Sequence, residues 1–78
     1  MNTNQNREEV AAEVRAAVAR KGWQQADLAR ATGLNKSSLS RKLRGEVSIY
    51  VDELVLIAIA LDIDPGDLLP RVPQTAAA

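Results

Sequence analysis

The sequence predicts an all-α fold, a compact five-helix domain in which the second and third helices form a helix-turn-helix. Three observations point there. Apolar residues recur at three- and four-residue spacing rather than alternating. Four times, an apolar residue stands just before a helix start and pairs with another five positions on: Trp23/Leu28, Leu34/Leu39, Ile49/Leu54 and Ile63/Leu68. That is the spacing of a hydrophobic staple, which fixes the angle at which the chain enters a helix. Third, 46% of the residues are hydrophobic, yet there is one Trp, one Tyr and no Phe. The core therefore has to be Leu, Val, Ile and Ala, and at 78 residues it is a single domain near the lower size limit for an autonomous core.

The elements follow in order. Residues 1–6 read as a disordered lead-in, 7–69 as the folded domain and 70–78, which hold two prolines and no periodicity, as a flexible tail. Asn6 with Glu9 resembles a capping box that starts a first helix over about 7–21. Its buried stripe is Val10, Val14, Ala17 and Val18, and Gly22 ends it. The staples place further helix starts at about 25, 36, 51 and 65, with acids at the third helical position in Asp27, Glu53 and Asp67. Asn35 and Asp64 are good caps and Pro65 suits a first helical position, whereas Gln24 and Tyr50 are poor caps.

The second helix turns Leu28 and Ala29 inward and stops at Gly33, which accepts positive φ without a Cβ clash. Leu39 and Leu43, four apart, line one side of the third. The fourth, about 51–61, is VDELVLIAIAL. Val51, Leu54, Val55, Ala58 and Leu61 suffice for an inward face with Ile57 flanking it, which leaves Leu56 and Ile59 on a surface expected to be polar. Either the tail folds back over these two or they form a self-association surface. A short fifth helix covers about 65–69.

Formal net charge is zero, but the charges are segregated. Residues 1–14 sum to −2, residues 15–45 to +7 with Asp27 the sole acid, and residues 46–69 to −6 with no base. The basic third coincides with the helix-turn-helix, and such a dipole steers a protein toward a polyanion. The third helix exposes Lys36, Ser37, Ser38, Ser40 and Arg41, polar and free of acid, as a duplex groove would select. Without Cys or His there is no thiolate chemistry, and the commonest general base and metal ligand is missing; the acids sit at helix starts where capping explains them. No enzyme activity, metal, cofactor or small-molecule ligand is expected. No apolar run approaches the roughly 20 residues that span a bilayer. The polar N-terminus is no signal peptide, so no membrane partner and a cytoplasmic, nucleoid-associated location are expected.

The run from Trp23 to Gly45, followed by SIYVDELVLIAIALDIDPGDLL, resembles the Cro/cI (XRE-type) helix-turn-helix family of phage and bacterial repressors, and the likeness covers about residues 7–69. The resemblance implies a lambda-repressor-like domain whose 36–44 helix enters the major groove of a double-stranded DNA operator. It places base readout on Lys36, Ser37, Ser38, Ser40 and Arg41, with Arg41 the best candidate because arginine pairs bidentately with guanine. Phosphate contacts fall to Gln24 and Gln25 at a helix start, to Asn35, and to Lys42, Arg44, Ser48 and Tyr50 for the far strand.

Two departures stand out. Lys42 occupies a position usually aliphatic, so its stem is expected to snorkel with the ammonium on phosphate. Leu56 and Ile59 replace residues usually polar, and homodimer and monomer both stay open. A stand-alone transcriptional regulator without a second domain is expected, a repressor of phage, prophage or bacterial origin. The alternative is an antitoxin or protein-interaction module acting through Leu56 and Ile59.

Overall fold

A helix leaves its first amides without partners, and in this chain acids and amides at the helix starts supply them. The computed structural model describes residues 3–69, as four α-helices and a turn of 3-10 helix: α1 (Thr3–Arg20), α2 (Gln25–Thr32), α3 (Lys36–Leu43), α4 (Val51–Leu61) and the 3-10 turn Pro65–Leu68. Asn35 caps α3, its Oδ1 accepting from the Ser38 amide at 3.0 Å. Gln24 and Tyr50, weak caps by residue type, are served from inside the helix. Asp27 accepts from the Gln24 amide at 2.8 Å, and Glu53 from the Tyr50 amide at 2.9 Å. The acids at the third position, rather than the cap side chains, define these two starts.

Two boundaries differ from expectation. α1 begins at Thr3, so residues 3–6 are helical and Asn6 lies inside the helix instead of capping it. Thr3, Asn4 and Gln5 include no proline or glycine, and adding residues to an existing helix is far easier than nucleating one. The fifth helix is one 3-10 turn. Asp64 accepts from the Gly66 amide at 2.8 Å, and the following amides bond three residues back, Asp67 to Asp64 at 2.9 Å and Leu69 to Gly66 at 3.3 Å. Its product is the placement of Leu68, which is 1% exposed. The 70–78 tail, and with it the idea that the tail covers α4, lies outside the described residues.

Each α-helix ends on a residue in the left-handed region, which returns amides to the last carbonyls. There are two after α1, α3 and α4, and one after α2, where Gly33 N donates to the Ala29 carbonyl and Leu34 N to the Thr32 hydroxyl. After α3 the left-handed residue is Gly45 (φ 78), with Glu46 N donating to the Arg41 carbonyl at 3.1 Å and Gly45 N to Lys42 at 3.0 Å. After α4 it is Asp62 (φ 57), which shows that a short polar side chain can take the same role.

α2 packs on α3 and α4, α1 on α3, and the 3-10 turn on α4 and α1. The shared core is Val14, Ala17 and Val18 of α1, Leu28 and Ala29 of α2, Leu39 and Leu43 of α3, Leu54, Ile57, Ala58 and Leu61 of α4, and Leu68. Each fully buried Leu or Ile contributes roughly 1.5–3 kcal/mol. α1 buries Ala11 where Val10 was expected, and Val10 is half-buried against the core. α4 is rotated from its expected setting. Ile57 is fully buried, whereas Val51 and Val55 join Leu56 and Ile59 at the surface. Leu54, Ile57, Ala58 and Leu61 keep the i, i+3, i+4, i+7 spacing of a single stripe. The expected Val51, Leu54, Val55 and Ala58 have the same spacing three residues earlier, so spacing alone does not choose between the two faces.

Candidate nucleic-acid interface

α3 sits on the core through Leu39, Lys42 and Leu43, so its remaining positions face outward. Lys36, Ser37, Arg41 and Arg44 are exposed, and Ser38 and Ser40 are half-buried. The five residues expected to read bases are therefore one continuous surface, with no acid on the helix itself. Lys36 makes no ion pair among the described residues. The Asn35 amide oxygen is committed to its cap, leaving its NH2 group outward.

Beside this surface, the start of α2 brings Gln24 and Gln25 to the rim of a cavity of about 220 Å³, which Arg15, Trp23 and Leu43 also line. Gln25, at the first helical position, presents a free amide at the positive end of the helix dipole. Ser48 and Tyr50 are exposed on the loop after α3.

Lys42 departs from its expected role. It is 8% exposed, its ammonium pairs with Glu53, and it lies 5.0 Å from the centre of the Tyr50 ring. A buried ammonium needs a partner, and Glu53 on α4 takes the charge that a phosphate was expected to take. Burial alone would push the Glu53 carboxyl up. The hydrogen bonds from Lys42 and from the Tyr50 amide outweigh it and hold the carboxyl below its ordinary range. Lys42 thus joins α3 to α4 and is withdrawn from the phosphate set.

Three further residues act on α3 and were not singled out from the sequence. Arg15 of α1 donates to the Leu43 carbonyl at 2.5 Å, and Arg7 to the Gly45 carbonyl at 3.0 Å. Two cations thus meet the negative end of α3, where orphan carbonyls and the dipole favour them. Glu46 accepts from Arg44 Nε at 2.6 Å and lies 3.5 Å from Arg41 Nε. The Arg44 hydrogen bond holds the Glu46 carboxyl below its ordinary range. The available signals were weak: Arg7 and Arg15 lie eight apart on one helix, and Glu46 is the first acid after a basic run.

A capped, core-seated helix that follows a short helix and a glycine turn, and that turns cations and serines but no acid of its own to solvent, defines a helix-turn-helix domain that binds nucleic acid. Its family is equally clear: the chain belongs to the Cro/C1-type helix-turn-helix DNA-binding domains, whose pattern matches residues 13–74. Among solved structures it is similar to the restriction-modification controller protein C.AhdI from Aeromonas hydrophila. The identity is 26% over 88% of this chain and 100% of that one, with a TM-score of 0.83. It is also similar to the hypothetical transcription factor NHTF from Neisseria, at 29% identity over 99% of this chain and 88% of that one, with a TM-score of 0.79. No curated protein sequence matches. Among the described residues, no helix is long and apolar enough to cross a membrane, and no cluster of acids is placed to hold a metal ion.

Proposed function

We propose that this protein is a sequence-specific transcriptional repressor that lays α3 in the major groove of a double-stranded DNA operator and excludes polymerase by occupancy. The observation that carries the reading is the outward face of α3, where Lys36, Ser37, Ser38, Ser40 and Arg41 stand together on a helix that itself contains no acid. Arg41 reads a guanine through its planar fork. Lys36 and Arg44 hold phosphates on either side, with Gln24 and Gln25 at the α2 start and Asn35, Ser48 and Tyr50 at the flanks. The similarity to a restriction-modification controller and to a transcription factor, each so named, favours control of transcription in a bacterium, prophage or phage. No step of chemistry is needed.

Two copies bind together. α4 exposes Val51, Val55, Leu56 and Ile59, with Ile59 70% exposed, and the joined apolar surface favours a second copy over solvent. A two-fold dimer then reads half-sites about 34–36 Å apart.

The test is selection from random duplexes at several salt concentrations, followed by sequencing of the bound fraction. One enriched palindrome, with affinity falling as salt rises, supports the reading. Weak binding without enrichment rejects it and favours an antitoxin-like module working through Leu56 and Ile59.

A further inference from the structure

Ser40 and Arg41 of α3 and its C-cap residue Arg44 are linked in one network. Arg44 Nη1 donates to the Ser40 hydroxyl at 2.7 Å, Arg44 Nε to Glu46 at 2.6 Å, and the second Glu46 oxygen lies 3.5 Å from Arg41 Nε. The acid is held where it is by the backbone. Gly45 takes φ 78, and the Glu46 amide donates to the Arg41 carbonyl at 3.1 Å, so the chain folds back and sets the carboxylate beside the last turn of α3. Glu46 is itself 46% exposed, so its place there is not forced by burial.

Resting on the DNA-binding reading, we propose that Glu46 is a specificity-determining residue that occupies Arg41 and Arg44 in the free protein and so penalises binding to DNA of the wrong sequence. Exposed ion pairs are weak, and a duplex can exchange them. What the exchange returns depends on the sequence met. On random DNA, Arg41 would only trade one anion for another, while the carboxylate is brought close to phosphates that repel it. Opposite the right guanine, the guanidinium gains two acceptors in fixed geometry, O6 and N7, which Glu46 does not offer through the single Nε contact. On random DNA the pair with Glu46 therefore persists and Arg41 adds little, whereas at the correct base pair it is given up for the guanine. Removing the acid frees Arg41 for a phosphate on random DNA, but on the motif it removes only the small cost of a weak exposed pair.

The experiment compares the full chain with Glu46→Gln and Glu46→Ser, both uncharged, on a random duplex and on the motif that the wild type enriches. Thermal midpoints are read alongside, and because the side chain is exposed they are expected to match wild type. Affinity for the random duplex is expected to rise about tenfold at low salt, with the salt slope steeper by about one unit. Affinity for the motif is expected to rise less than about threefold, so the specificity ratio falls. An unchanged random-duplex affinity, or an equal rise on both duplexes, overturns the proposal while the DNA reading stands. A wild type that enriches no motif overturns both.

Discussion

Successive residues on a helix project about 100° apart, so Arg41 points to solvent while its neighbour Lys42 points into the seam between α3 and α4. Two adjacent cations thereby acquire separable roles, and substitution tells them apart. Arg41→Ala is expected to lower affinity for the enriched duplex by about 1–3 kcal/mol while leaving the melting midpoint unchanged. Lys42→Ala leaves Glu53 without its partner and is expected to cost about 1–3 kcal/mol of stability, read from urea midpoints. A destabilised Arg41→Ala, or a Lys42→Ala variant of full stability and weaker DNA binding, would reverse the assignment. The pair also makes stability depend on pH. Glu53 titrates lower in the folded state than in the unfolded chain, so its contribution is fully present above the ordinary glutamate value of about 4.3. It is lost as pH falls through the lower folded value. Wild type should exceed Glu53→Gln in urea midpoint at pH 6 and lose that advantage toward pH 3. A gap that does not narrow at all as pH falls below the ordinary glutamate value would show that the carboxylate's charge is not its source.

Among the elements, helix starts were legible because each depends on residues within five positions of one another. The staples and the acids at Asp27 and Glu53 located α2 and α4 although Gln24 and Tyr50 cap poorly. The start of α1 is not legible in the sequence, because no breaker separates Thr3 from Arg7 and propagation carries the helix through residues 3–6. The rotation of α4 is not legible either, because VDELVLIAIAL is apolar on most sides and only packing against α2 and the 3-10 turn chooses the face. The outward face of α3 could be read from spacing alone, but the partners of its cations could not. Lys42 and Glu53 are 11 apart, and Arg15 and Leu43 are 28 apart, so only the tertiary fold joins them. The end of α3 offers its own test. Gly33 and Gly45 share the left-handed conformation, and an added Cβ meets nothing at Gly33 but comes within 3.2 Å of Glu8 at Gly45. Gly33→Ala is expected to cost about 1–2 kcal/mol from backbone strain alone. Gly45→Ala is expected to cost more, because the Glu8 side chain on α1 has to give by a few tenths of an ångström as well; equal melting midpoints for the two variants would mean that Glu8 moves aside freely.

Across the whole molecule, the charge segregation of the sequence is partly undone by folding. Glu53 and Glu46, from the acidic third, are placed against Lys42 and against Arg41 and Arg44 from the basic third. The +7 of residues 15–45 therefore overstates what a duplex meets. On α3, Lys36 is the cation without an ion pair among the described residues, and Arg44 becomes available by exchange with Glu46. Two phosphate contacts per copy give a slope of log affinity on log salt of about −2 for one copy and about −4 for two, at roughly −0.9 per contact. The slope thus counts copies as well as contacts. Ile59→Glu places a charge in the exposed α4 patch, and Ile59 lies outside the residues assigned to DNA, so each copy's DNA-binding residues are kept. In the two-copy reading this variant binds the same motif more weakly and with about half the wild-type slope, because each copy then docks alone. A variant that keeps both the slope and the affinity would show that one copy suffices, and that the apolar face of α4 serves something other than operator binding.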